Sequence, residues 1–326
     1  MKRWFVLLSL ILLTACDPMA PQPTPVSVIV TPIPSITPIP LPTSTATPTP
    51  TRTPTPEAIL QPSATPFPCD DDSGRVEAFT PFRSDVASGE NLRFNVYLPP
   101  CYIETQARFP VVYLLHGLDY DEEQWRDIGL FDALDQGIRL GALPPMVVVM
   151  PYLGQLGQFN NFPPNPSYET YILEELVPAV ERQICTRQDR EFRAIGGISR
   201  GGFWAYSIAF RHPDVFGIVG GHSAFFPQNL RDVPAAFNPL EIARNSSILP
   251  AANLRMYMDG GAGDSASPSL QMLSDRLRER QIAHDYVIRT VGEHDNDYWS
   301  AHVSEYLAFY GDNWPRDYAG LPSCID

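Results

Sequence analysis

Three apolar stretches, residues 111–115, 146–150 and 216–219, run without any alternation of polar and apolar side chains. A strand lying on a sheet with one wet face alternates, whereas a strand covered on both faces does not. The stretches therefore confine the chain to a sheet packed on both sides. Leu92, Phe94, Val96 and Leu98 alternate with Asn91, Arg93, Asn95 and Tyr97, which predicts a half-buried strand. Helical spacing separates the strands. Tyr168, Ile172, Leu173, Leu176, Val177, Val180 and Ile184 mark one apolar face, with Pro178 placed to kink it, and Leu270, Leu273, Leu277 and Ile282 mark another. Such strand–helix alternation predicts an α/β fold, a mostly parallel central sheet with helices on both faces.

The first 68 residues read differently. Lys2 and Arg3 precede a short apolar run over 5–13, and small residues then lead to Cys16. The run is too short to span a bilayer and has the layout of an export signal. It resembles a bacterial lipoprotein signal over 1–16, which implies cleavage before Cys16 and a lipid on that cysteine. Buried acyl methylenes would then hold the protein to a membrane, at the cell surface or in the periplasm. Residues 17–68 hold 16 of the 35 prolines, interleaved with Thr, Ser and Ala. Proline fixes φ and has no amide donor, so this tract predicts an extended linker reaching on the order of 150 Å. Residues 69–326 have the composition of a globular domain. A formal charge of −14 offers no basic patch for phosphates and argues against nucleic acid as a partner. Cys69, Cys101, Cys185 and Cys324 form an even set, which in an oxidising compartment predicts two disulfides with three possible pairings.

Chemistry concentrates in Gly197-Ile198-Ser199-Arg200-Gly201-Gly202. It follows a strand-like segment over 192–195 and precedes a helical one over 203–210. A G-x-S-x-G at such a junction is a nucleophile elbow, whose partners follow in the order serine, acid, histidine. Small residues must flank the serine because the turn is tight. The helix start adds amides that favour negative charge. Downstream, the strand-like segment 254–258 leads into a loop with Asp259 and Asp264, and the segment 286–289 leads into His294. Both loops lie past strand ends, where open α/β sheets build their sites. Either Asp259 or Asp264 fits as the acid. His302 is a second candidate base, though a helical face is a poor place from which to reach an elbow serine.

Taken together, His116-Gly117-Leu118 after the strand 111–115, the Ser199 elbow, Asp259-x-Gly-x-x-Asp264 and Gly-Glu-His294-x-x-x-Tyr298-Trp299 resemble the esterase family of the α/β-hydrolase fold. That family holds feruloyl and acetylxylan esterases, S-formylglutathione hydrolase, enterochelin esterase and the antigen 85 mycolyltransferases. The resemblance implies a serine esterase with Ser199 as nucleophile, Asp264 as acid and His294 as base. It also implies an oxyanion hole from the amides of Leu118 and Arg200, and a small-molecule or carbohydrate ester as substrate. Arg200 stands where the family often has methionine, which adds a charge beside the cleft. An acyltransferase of the same fold, or a silent surface binding module, are the competing readings. On the family's topology Cys101 and Cys185 fall in loops opposite the active site, so the expected pairs are Cys101–Cys185 and Cys69–Cys324.

The remaining polar and aromatic residues carry less. His116 reads as a structural support for the oxyanion turn, and His212 as the cap of a helix end. His222 and Ser223 suit either a pocket wall or the core. Trp125, Tyr152, Phe159, Phe162 and Trp299 suit either an aromatic cleft or loop anchors. No cluster has metal-ligand spacing and no glycine loop resembles a phosphate cradle, so neither metal nor cofactor is expected.

Overall fold

A computed structural model describes residues 69–87 and 91–325. The signal over 1–16 with Cys16, and the linker over 17–68, lie outside the described residues.

Eight strands form one sheet: β1 (Arg75–Arg83), β2 (Asn91–Leu98), β3 (Val111–Leu115), β4 (Val147–Pro151), β5 (Arg193–Ile198), β6 (Ile218–His222), β7 (Arg255–Gly261) and β8 (Asp285–Arg289). Their spatial order is β1-β2-β4-β3-β5-β6-β7-β8. The first two strands run antiparallel, and β4, β3 and β5 through β8 pair in parallel. This is the α/β-hydrolase fold. The unalternating runs have their predicted cause. Val111, Tyr113 and Leu115 of β3 enter one apolar layer and Val112 and Leu114 the other. The first layer includes Phe203, Trp204 and Ile208 of the Arg200–Arg211 helix and Leu270, Leu273 and Leu277 of the Ser267–Glu279 helix. Leu130, Leu134 and Ile138 of the Leu130–Arg139 helix join Val303, Tyr306 and Tyr310 of the Asn296–Gly311 helix in the second.

Several strands run past the apolar stretches that announce them. β5 continues through Gly196 and Gly197, and β6 through Gly220, Gly221 and His222. A Cβ on Gly196 would lie 1.7 Å from the Tyr310 hydroxyl, and one on Gly220 2.2 Å from it. The glycines make room for a tyrosine from the last helix, so hydropathy alone hides these strand ends. Pro178 does not break its helix. Tyr171–Leu176 winds as a π-helix before Val177–Gln183 resumes the α form, which accommodates the rung that proline cannot donate.

The expected disulfides, Cys101–Cys185 and Cys69–Cys324, are corrected by the structure. The bonds are Cys69–Cys101 and Cys185–Cys324. Cys101 follows β2 and Cys185 precedes β5, as expected, but strand pairing decides which cysteines meet. Arg75 opens β1 opposite Leu98, the last residue of β2, which brings Cys69 beside Cys101. The C-terminal segment pairs with residues 106–108, where Cys324 N–H donates to the Gln106 carbonyl at 2.7 Å. Phe109, next along, donates to the Cys185 carbonyl at 2.9 Å, so Cys324 meets Cys185.

Candidate active site

Ser199 sits between β5 and the Arg200–Arg211 helix with φ 53° and ψ −111°, a conformation that only a constrained turn sustains. The constraint is steric. A Cβ on Gly201 would come within 2.3 Å of the Leu115 carbonyl oxygen, and one on Gly197 within 2.4 Å of the Gly201 backbone. Only glycine lets helix and strand approach this closely.

Beyond β7, Asp264 lies in a turn with its side chain fully buried. Beyond β8, the 291–295 loop carries His294, and Asp295 caps the next helix by accepting the Tyr298 amide at 2.9 Å. The two loops meet. His294 Nδ1 is 2.8 Å from Asp264 Oδ1, and His294 Nε2 is 2.9 Å from Ser199 Oγ. A carboxylate only accepts, so Nδ1 carries the hydrogen and Nε2 is free to accept from the serine hydroxyl. Asp264 Oδ1 also accepts the Ala266 amide at 2.7 Å. Burial pushes the Asp264 carboxyl up, but the hydrogen bonds from His294 and Ala266, with the Ser223 hydroxyl nearby, outweigh it and hold the group below its ordinary value.

The His116–Leu118 turn borders Ser199: a Cβ on Gly117 would stand 3.8 Å from Ser199 Cβ. Gln124 Oε1 accepts the Gly117 amide at 2.8 Å, and His116 Nε2 accepts the Leu153 amide at 2.8 Å. His116 therefore has the expected supporting place, and burial keeps its ring neutral, with a pKa lowered to about 4. The amide of Arg200 opens its helix and has no intrahelical acceptor. The Arg200 guanidinium donates to the carbonyls of Gly157 at 2.8 Å and Phe159 at 3.0 Å. Its charge ties down the loop after β4, a role that the sequence reading missed along with that of Gln124.

The rivals lie elsewhere. Asp259 is wholly buried, with Oδ1 2.8 Å from His222 Nδ1 and Oδ2 accepting the hydroxyls of Tyr298 at 2.8 Å and Tyr306 at 3.1 Å. His222 Nε2 then faces the Tyr310 hydroxyl at 2.9 Å, so both residues belong to the core. His302 Nδ1 contacts the Tyr298 carbonyl at 2.7 Å within its own helix. His212 follows its helix and pairs with Glu169 at 2.9 Å. Of the five aromatic residues, Trp125, Phe162 and Trp299 are buried anchors, Tyr152 is half-buried beneath Arg93, and Phe159 is exposed.

The family described as "Putative esterase" matches residues 86–312. The chain belongs to this esterase family. An endo-1,4-beta-xylanase/feruloyl esterase of Xylanibacter ruminicola is 31% identical to this esterase-family chain over 163 residues, covering 46% of it and 22% of the relative. An esterase of Mycobacterium tuberculosis is 35% identical over 150 residues, covering 44% and 31%. The matched stretches thus span less than a third of either relative. Among solved structures, a ferulic acid esterase superposes with a TM-score of 0.66 at 24% identity, over 74% of this chain and 98% of its own. An S-formylglutathione hydrolase from Staphylococcus aureus gives a TM-score of 0.61 at 18% identity, over 73% and 98%. At these identities the structural likeness speaks for the fold.

Proposed function

We propose that this protein is a serine hydrolase that cleaves carboxylic esters through an acyl-enzyme on Ser199. The observation that carries the reading is the unbroken relay from Ser199 Oγ through His294 to Asp264, with contacts of 2.9 and 2.8 Å. A serine hydroxyl is a weak nucleophile until a base takes its proton, and imidazole titrates near working pH. His294 Nε2 takes that proton as Oγ attacks the ester carbonyl, and Asp264 fixes the tautomer and stabilises the imidazolium. The amides of Leu118 and Arg200 receive the oxyanion, each worth about 3 kcal/mol of barrier. His294 returns the proton to the leaving alcohol, then activates a water that releases the acid. Membership of the esterase family and a feruloyl esterase among the relatives support acylated carbohydrate as the substrate class. The start of the sequence supports an exported protein anchored through lipid on Cys16, with 17–68 as its tether, and the two disulfides accord with an oxidising compartment.

Hydrolysis of p-nitrophenyl acetate and of a feruloylated sugar, together with fluorophosphonate labelling, tests this. Ser199→Ala should abolish labelling and lower kcat by several orders of magnitude, as removal of other triad serines does. Near-wild-type turnover by that variant would refute the assignment.

A further inference from the structure

Ser223, the first residue past β6, has φ 51° although it is neither glycine nor asparagine, and its side chain is completely buried. A conformation of that kind persists only where the surroundings enforce it. Its amide donates to the Asp259 carbonyl at 2.8 Å, which fixes the backbone. The side chain has a separate partner: Trp299 Nε1 donates to Ser223 Oγ at 2.9 Å. An indole nitrogen is only a donor, so Ser223 accepts there and its own hydrogen is left to give elsewhere.

The matching acceptor is Asp264. Its Oδ1 is taken by His294 and Ala266, whereas Oδ2 is buried and has no hydrogen bond of standard geometry. The Ser223 hydroxyl lies near enough to this carboxyl to help hold it ionised. A buried acceptor with no donor is costly, and the hydroxyl that helps hold this carboxyl ionised has an unassigned hydrogen. Trp299 also meets the His294 ring edge-on, with centroids 5.2 Å apart, so one indole touches the base and aims the serine.

We propose that Ser223 is a positioning residue of the active site, held by Trp299 so that its hydroxyl serves Asp264 Oδ2 and keeps Oδ1 turned toward His294. The proposal rests on reading Ser199, His294 and Asp264 as a hydrolytic relay. Without the hydroxyl, the carboxylate has one secured oxygen fewer and loses its fixed rotation. Substrate affinity is set elsewhere, so the loss falls on kcat.

Two substitutions separate the hydroxyl from the backbone. Ser223→Ala removes the hydroxyl and keeps the strained φ, whereas Ser223→Gly removes the hydroxyl and relieves the strain. Both should lower kcat for p-nitrophenyl acetate about tenfold with KM within threefold, and Ser223→Gly should melt at the higher temperature of the two. Trp299→Phe keeps an aromatic ring without the N–H. It should lower kcat about threefold alone and add nothing to Ser223→Ala. Rates are referred to folded protein, verified by circular dichroism and thermal melting. Full kcat in Ser223→Gly, or a Trp299→Phe effect that simply multiplies that of Ser223→Ala, would overturn the proposal. Ser199→Ala is assayed in parallel. Activity in that variant sinks the hydrolase reading itself, whereas an inactive Ser199→Ala beside a fully active Ser223→Ala sinks only the role of Ser223.

Discussion

The carbonyl of His222 accepts the backbone N–H of Ser199 at 2.9 Å, so the proposed nucleophile is pinned to the end of β6. The His222 side chain in turn leans on Asp259, which also holds Tyr298 and Tyr306 of the last helix. Asp259→Asn would set an amide where three donors converge, and one of its own hydrogens would face a donor. Mispairing a buried carboxylate of this kind costs about 3 kcal/mol or more. The expected outcome is a clearly lower urea midpoint and reduced kcat. Unchanged stability would show that the network tolerates a neutral centre.

Acid should weaken the fold through His116. Its folded pKa of about 4 lies below the ordinary 6.5 because the ring is buried neutral, with Nε2 accepting from Leu153. Below pH 6.5 the unfolded chain takes up this proton first. The stabilisation is therefore complete above that pH and is lost as pH falls toward 4, by up to about 3 kcal/mol. Asp264 acts in the same direction lower down: its pKa is depressed, so its contribution is lost only as pH falls through that lowered value. Melting temperatures between pH 7 and 4 should fall, and His116→Gln should flatten the upper part of the curve.

Gln124 offers a test of the proposed oxyanion turn. It is buried, accepts the Gly117 amide and donates to Asn296 Oδ1 at 3.2 Å, joining the turn to the helix after His294. Gln124→Ala frees the turn that presents Leu118. We expect kcat to fall at least tenfold with little change in KM, read by steady-state hydrolysis of a p-nitrophenyl ester.

The two disulfides should differ in worth. Cys185–Cys324 spans 139 residues and Cys69–Cys101 spans 32. Loop-closure entropy gives about 5 kcal/mol for the longer and about 4 kcal/mol for the shorter. Cys324→Ser should accordingly lower the melting temperature more than Cys69→Ser. The reverse order would place the main stabilisation in local packing at Cys69.

What the sequence discloses follows the range of the forces involved. The elbow is legible because a tight turn demands glycines at fixed offsets from Ser199, and strand β3 because burial on both faces demands an unbroken apolar run. His294 follows from chain order together with its place in a loop past a strand, where His302 falls on a helical face. The strand ends at Gly196 and Gly220 are hidden because their packing partner, Tyr310, comes from a helix far along the chain. Gln124, Ser223 and Arg200 are illegible for a related reason. Each acts through a backbone group or a buried oxygen whose neighbours only the folded chain defines. Topology alone misassigns the cysteine pairing, because the register of β1 on β2 and the path of the last residues bring the sulfurs together.

Ser199, Asp264 and His294 all fall between Cys185 and Cys324, while Leu118 and Gln124 fall outside that interval. Those two cysteines close a covalent ring that contains every residue of the proposed proton relay. A single protease cut inside it leaves both fragments attached, whereas a cut between Gln124 and Cys185 leaves Leu118 and Gln124 joined to the ring only by packing. Nicked forms of the protein should therefore separate into two kinds under denaturing, non-reducing conditions, those cut inside the ring and those cut between Gln124 and Cys185.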